Sequence, residues 1–224
     1  MKFNIRIFVA ELVGTFGLLV AATGSIVYDG FNSQTLGLEF IALMHLLGLW
    51  ILVSVFGKYS MAHFNPAVTI GFAITRHAKW SDVPTYLVAQ GIGSILGSVF
   101  VLYTLGYHAD LGLNRPDYSL DLVTFFSIEV LATILLMGGI LCIVSTKVHG
   151  VVAGLVVGSV VAFDVWFFGP ISGASMNPIR SLAPVITTGI MNDIWLYMTA
   201  PLLGVLPPAL LYRWRKTVSV QHSN

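Results

Sequence analysis

The sequence predicts an all-α membrane protein, with six transmembrane helices and two re-entrant half-helices arranged as an inverted three-plus-three repeat. Three observations carry that expectation. Apolar residues make up 56% of the 224 positions and charged residues 9%, too few charges to solvate a soluble domain of this size. Apolar runs of roughly 20 residues, enough to cross about 30 Å of hydrocarbon, recur along the chain. Two Asn-Pro pairs, Asn65-Pro66 and Asn177-Pro178, each open an apolar segment too short to cross.

The spans are expected from Ile5 to Tyr28, Leu36 to Phe56, Val83 to Leu105, Leu122 to Val144, Val151 to Phe168 and Asp193 to Tyr212. Lys2 and Arg6 ahead of the first run imitate a secretion signal, but Glu11 within it and its length favour a retained helix. The single cysteine, Cys142, lies inside a span and has no intrachain disulfide partner. A net charge of +1 offers no basic surface to a nucleic acid. With six crossings, Lys2, Arg6, Lys58, Arg76, Lys79, Lys147, Arg213, Arg215 and Lys216 fall on one side. Arg115 alone falls in an outside loop, where Asp29, Asp110, Asp117, Asp121 and Asp193 gather. The positive-inside bias then places both termini in the cytoplasm, and the plasma membrane is the expected location.

The two halves repeat. Glu11 in the first span matches Glu129 in the fourth, and His63-Phe-Asn-Pro-Ala-Val-Thr69 matches Ser175-Met-Asn-Pro-Ile-Arg-Ser181. Tyr86-x-x-Ala89-Gln90-x-x-Gly93 is echoed by Tyr197-x-x-Ala200-Pro201-x-x-Gly204. An odd number of spans per half makes the second half enter from the opposite face, an inverted repeat whose site lies at the midplane. The whole chain, 1–224, reads as one domain, with repeats over about 1–106 and 122–213 and a polar linker from about Tyr107 to Asp121.

Each short segment should start at its asparagine. Asn is a strong N-cap, and Pro is tolerated at the first helical position because its missing N–H has no partner there. Half-helices are expected over Pro66 to about Arg76 and Pro178 to about Thr188, preceded by irregular stretches over 57–64 and 169–176. Irregular backbone survives in lipid only where it is buried in protein or lines a watery cavity. Two half-helices dipping from opposite faces bring both N-termini, each worth roughly half a positive charge, to one midplane point. Cations and protons are repelled there, and each asparagine's NH2 group is expected to face the lumen.

This architecture, with the strings His63-Phe-Asn-Pro-Ala-Val-Thr69 and Ser172-Gly-Ala-Ser-Met-Asn-Pro-Ile-Arg-Ser181, resembles the aquaporin and glycerol-facilitator family over nearly the whole chain. The resemblance implies a midplane built from Asn65, Pro66, Ala67, Asn177, Pro178 and Ile179. It departs from the family at Ile179, which stands where an alanine is usual and calls for more room between the half-helix tips. The resemblance also implies a homotetramer with a pore in every subunit, water and small neutral solutes as cargo, and neither cofactor nor metal.

Arg180, at membrane depth and in the positive first turn of a helix, marks a functional position. In the family this place belongs to the outer constriction, and spacing from the two asparagines supplies its partners: His45, Val165 and Ala174. The set His45, Val165, Ala174 and Arg180 resembles the filters of the plant vacuolar-membrane subgroup, which implies water passage with ammonia as a further solute. Ser181, where glycerol facilitators usually carry Asp, and His45, where they carry Trp, disfavour glycerol. His63 resembles a residue of the inner pore wall. Glu11 and Glu129, costly inside a membrane, are expected to accept hydrogen bonds from the irregular loop of their own half, with a proton relay as the alternative. Asp164 has no counterpart in the family; a pairing with Arg180 or His45 and a place against a neighbouring helix remain open. His108 is expected at the surface, and mercurials are expected to leave conductance unchanged because Ala174 stands where relatives carry a reactive cysteine.

The function expected is a passive water channel that excludes ions, with a facilitator of glycerol or urea as the near alternative. A proton-coupled transporter shares the inverted repeat but needs a titratable midplane group, where this chain has amides. No spacing of catalytic or metal-ligating residues in the spans suggests an enzyme.

Overall fold

In the computed structural model, residues 4–146, 148–191 and 193–221 are described, which leaves Lys2 and Lys147 outside. Five single helices are long and apolar enough to cross a membrane: α1 (Ile5–Phe31), α2 (Gly37–Ser60), α4 (Val83–Leu105), α5 (Leu122–Thr146) and α6 (Gly150–Ser172). Between α2 and α4 lies the half-helix α3 (Pro66–Ile74), and after α6 lies its counterpart α7 (Pro178–Thr188). The sixth crossing is shared by α8 (Ile194–Gly204) and α9 (Leu206–Gln221). It breaks at Val205 because Pro207 and Pro208 fill the first turn of α9, where a missing N–H is harmless but the preceding ladder ends.

Both helices that lead into the irregular stretches run longer than expected. α2 continues through Gly57 to Ser60 and α6 through Pro170 to Ser172, so the irregular segments shrink to 61–64 and 173–176. The echoed tyrosines explain the added turn. Tyr86 Oη donates to the Ser60 carbonyl at 2.8 Å and Tyr197 Oη to the Ser172 carbonyl at 2.6 Å, pairing terminal acceptors that a helix end leaves without partners. α3 stops at Ile74 rather than Arg76, where a left-handed Arg76 (φ 63°) turns the chain and the His77 N–H bonds back to the Phe72 carbonyl.

Packing follows the repeat. α1 lies on α2 and α4, and α5 lies on α6 and α8, while α2 against α6 joins the halves. The echoed glycines make the equivalent close approaches: a Cβ on Gly93 would sit 2.3 Å from the Leu12 carbonyl oxygen, and one on Gly204 would sit 2.6 Å from that of Val130. Leu12 and Val130 each follow the repeated glutamate. The half-helices are held by last spans from both halves, α3 by α4 and α9 and α7 by α4 and α8. This wedging aims their two N-termini at each other in the middle of the bundle.

Candidate functional site

Asn65 and Asn177 cap α3 and α7, their Oδ1 atoms accepting from the Ala67 N–H at 2.8 Å and the Ile179 N–H at 3.3 Å. Each amide also reaches across the midplane. Asn65 Nδ2 donates to the Met176 carbonyl at 2.8 Å, and Asn177 Nδ2 donates to the Phe64 carbonyl at 2.9 Å. One donor of each NH2 group is therefore spent on tying the half-helices together, which corrects the expectation that the group is wholly free for the lumen. An amide carries two donors, and both asparagines line the central cavity, so one donor each is left to face it. Pro66, Ala67, Pro178 and Ile179 stand behind this surface rather than on the cavity wall, and Ile179 is buried with both cross-ties in place beside it.

The irregular segments owe their shape to left-handed non-glycine residues, Met61, Ala62 and Phe64 in one and Ala174 and Met176 in the other. Each such residue costs about 1 kcal/mol or more and persists only if its surroundings hold it. The repeated glutamates do the holding. Glu11 accepts from Ser60 Oγ at 2.6 Å, the His63 N–H at 2.9 Å, the Phe64 N–H at 2.8 Å and Gln90 Nε2 at 2.8 Å. Glu129 accepts from Ser172 Oγ at 2.8 Å, the Ser175 N–H at 2.9 Å and the Met176 N–H at 3.0 Å. Pro201, at the place of Gln90, has no side-chain donor to give.

A cavity of about 60 Å³ runs through this region, room for on the order of four to six waters at roughly 10–15 Å³ each. One wall is apolar, with Leu49, Val53, Val68, Ile140, Val157 and Val161; the other is made of the irregular segments and the two asparagines. His63 lies on the latter. Thr69 Oγ1 gives its proton to the Asn65 carbonyl, so His63 Nδ1 is the donor in their 3.1 Å contact, and the ring stacks on Tyr86 at 4.1 Å. A second cavity of about 210 Å³ opens on the side of the linker. His45 and Arg180 line both cavities and mark their junction, with Ala174 on the inner cavity and Val165 on the outer. His45 Nδ1 faces the Ile41 carbonyl at 2.8 Å and must carry the proton, which leaves Nε2 as the acceptor.

Arg180 is buried, and its Nη1 donates to the Gly112 carbonyl at 2.8 Å and to Asn114 Oδ1. Both acceptors sit in the stretch the sequence shows as a polar linker. Asn114 was therefore missed: its sole mark in the sequence is an amide between Gly112 and Pro116, and only folding of the linker over the outer cavity brings it to Arg180. Asp164 pairs with neither Arg180 nor His45. It is fully buried on α6, faces the charge of Glu129 and has no hydrogen-bond partner among the described residues, and nothing in the structure explains it. His108 is half-buried edge-on against Phe31 at 5.3 Å, away from the junction. Cys142 is exposed on the outer surface of α5, in a groove beside α9.

At the mouth opposite the linker, His77 joins α3 to α9. Its Nδ1 meets Thr75 Oγ1 at 2.8 Å and its Nε2 meets Tyr212 Oη at 3.3 Å. Burial first, and the charge of Lys216 second, hold its imidazole below the usual histidine range.

Comparison with known proteins gives a consistent picture. Residues 1–212 match the family model described as Major intrinsic protein. Nodulin-26 of Glycine max is 39% identical over 207 residues, covering 91% of this chain and 75% of that protein. The probable aquaporin NIP7-1 of Arabidopsis thaliana is 36% identical over 216 residues, covering 93% and 76%. Among solved structures, the aquaglyceroporin from Plasmodium falciparum superposes with a TM-score of 0.87 at 25% identity, covering 97% of this chain and 98% of its own. The two sequence relatives are of the nodulin-26 type, so the likeness of His45, Val165, Ala174 and Arg180 to the vacuolar-membrane subgroup is not supported as a kinship.

Proposed function

The chain belongs to the major intrinsic protein family, a family of membrane channels, and on that premise we propose that it is a passive channel for small neutral solutes, water among them, rather than a pore restricted to water. The observation that carries this reading is the pair of cavities meeting at His45 and Arg180. At the junction, the His45 acceptor and the Arg180 donors share the lining with the small side chains of Val165 and Ala174, a mixture suited to a solute with polar and apolar parts. Below it, the cross-tied asparagines and the two helix N-termini disfavour any cation while hydrogen-bonding a neutral molecule. The resemblance to an aquaglyceroporin and to nodulin-26-type relatives weighs further toward neutral solutes than the residues His45 and Ser181 weigh against them.

The same reading takes 1–224 as one channel domain of two repeats, about 1–106 and 122–213, assembled as a homotetramer in the plasma membrane. Arg213 lies against the end of α3, beside Tyr212 and His77, and the positive-inside bias supports that mouth as the cytoplasmic one, with both termini on that side. Asp29 and Asp193 bond at the opposite mouth, to the start of α2 and to Tyr118.

The test is stopped-flow light scattering on proteoliposomes under gradients of glycerol, urea and ammonia as well as an impermeant osmolyte. Swelling faster than in empty vesicles is expected for water and for at least one of the solutes. Flux of water alone would return the protein to the narrower reading, and saturable uptake driven by a pH gradient would make it a transporter.

A further inference from the structure

Arg180 is the one long side chain among His45, Val165, Ala174 and Arg180, and its position bears on both the width left to a solute and where its charge lies. Its side-chain hydrogen bonds among the described residues both leave from Nη1 and both end on the linker between the halves. We infer that Asn114 is a specificity-determining residue of the pore, a linker amide that positions Arg180 and joins it to the irregular segment that carries Ala174.

The amide is used on three sides. Asn114 Oδ1 accepts from Arg180 Nη1 and from Ser181 Oγ at 2.8 Å, and Asn114 Nδ2 donates to the Gly173 carbonyl at 2.6 Å. Arg180 and Ser181 belong to α7, whereas Gly173 begins the irregular segment that carries Ala174. One buried side chain thus fixes two walls of the junction relative to each other. Few residue types can do this. The oxygen must accept twice and the nitrogen must donate, so a carboxylate fails at Gly173 and a hydroxyl is too short to reach both sides.

The linker is itself fastened, which is what lets Asn114 act as an anchor. Leu111 is buried among Val27 and Val101. Gly112 is left-handed (φ 68°), and a Cβ there would lie 3.0 Å from Thr23 Cα, so its carbonyl is held where Arg180 meets it. Beyond Asn114, the Asp117 N–H donates to the Ile171 carbonyl at 2.9 Å, and Arg115 pairs with Asp110 at 2.8 Å. Without the Asn114 amide, Arg180 keeps the Gly112 carbonyl alone, and a four-bond side chain with one anchor regains rotamers. A charge-assisted hydrogen bond shifts such a population by about tenfold, so the effect falls on selectivity before it falls on flux.

The inference rests on the channel reading, and its test separates the two. Wild type, Asn114→Ala, Asn114→Asp, Arg180→Ala and the double variant Asn114→Ala/Arg180→Ala are reconstituted, and water flux, glycerol flux and sodium leak are measured on the same vesicles. Asn114→Ala is expected to raise the glycerol-to-water ratio by about five- to tenfold, in line with the population shift above. Asn114→Asp sets a negative charge against Arg180 and is expected to add a sodium leak that Asn114→Ala lacks. In the Arg180→Ala background, Asn114→Ala should change the ratio by less than about twofold, because its effect runs through Arg180. Single effects that multiply in the double variant, or an Asn114→Ala ratio within about twofold of wild type, overturn the inference by leaving Asn114 a merely structural residue. If no protein passes glycerol, the ratio is read with urea or ammonia instead; if none of the three passes, the solute reading fails, and the sodium leak of Asn114→Asp decides for or against Asn114 by itself.

Discussion

At the residue scale, the site depends on buried charges whose partners are backbone N–H groups. Glu11 and Glu129 each turn an irregular segment into a fixed surface by accepting its donors. Replacing either by Gln puts an NH2 group where an N–H already points, at a cost of about 1–3 kcal/mol for each donor left unpaired. Glu129→Gln and Glu11→Gln should therefore lower the melting temperature of the detergent-solubilised protein by several degrees and reduce flux with it. A proton relay would instead show altered proton flux at an unchanged melting temperature. The asparagines, the glutamates and Arg180 were legible in the sequence because each repeats, or because a charge at membrane depth is too costly to be accidental. Asn114 was not legible, since its partners lie 66 and 59 residues away and the linker's fold is what brings them together. The cross-ties of Asn65 and Asn177 were half legible: the caps follow from Asn-Pro, but the donors to Met176 and Phe64 need both halves in place.

At the element scale, the half-helices are held by spans that themselves touch through glycine. Gly93→Ala would bring a methyl group to 2.3 Å of the Leu12 carbonyl oxygen, which no rotamer relieves. We expect a loss of about 1–3 kcal/mol as α1 and α4 are forced apart. Gly91→Ala, one position off the contact and meeting nothing within 4 Å, should be neutral or add up to about 1 kcal/mol from helix propensity. Equal melting temperatures for the two variants would contradict this packing. The latch between α3 and α9 adds a dependence on pH. His77 is held below its unfolded value of about 6.5, so its neutral form stabilises the fold fully above that pH. That stability is lost as the pH falls toward the folded value, because the unfolded chain takes up the proton first. On acidification from about pH 7.5 to about pH 5, wild type should lose more thermal stability than His77→Gln; parallel losses would mean the latch contributes nothing. The extra turns of α2 and α6 escaped the sequence reading because the tyrosines that cap them come from another span, whereas the start of each half-helix is written locally in Asn-Pro.

At the scale of the whole molecule, the two halves do different work although they share one plan. Both supply an asparagine and a helix N-terminus to the midplane, while the second half alone adds Arg180, and the linker alone adds Asn114. The fold class was visible in the sequence because lipid leaves so few options: long apolar spans, and short helices only where irregular backbone lines a cavity. Which neutral solutes pass was not visible, since on the proposed reading it depends on His45, Val165, Ala174 and Arg180, whose side chains come from α2, α6, segment 173–176 and α7. The central claim is that the cross-tied half-helices pass neutral molecules and refuse charge. Water permeability and proton permeability measured together on the same proteoliposomes test it most directly. The account predicts water flux well above that of empty vesicles, with proton flux indistinguishable from theirs; water and proton fluxes that rise together, or a protein that raises neither, would contradict it.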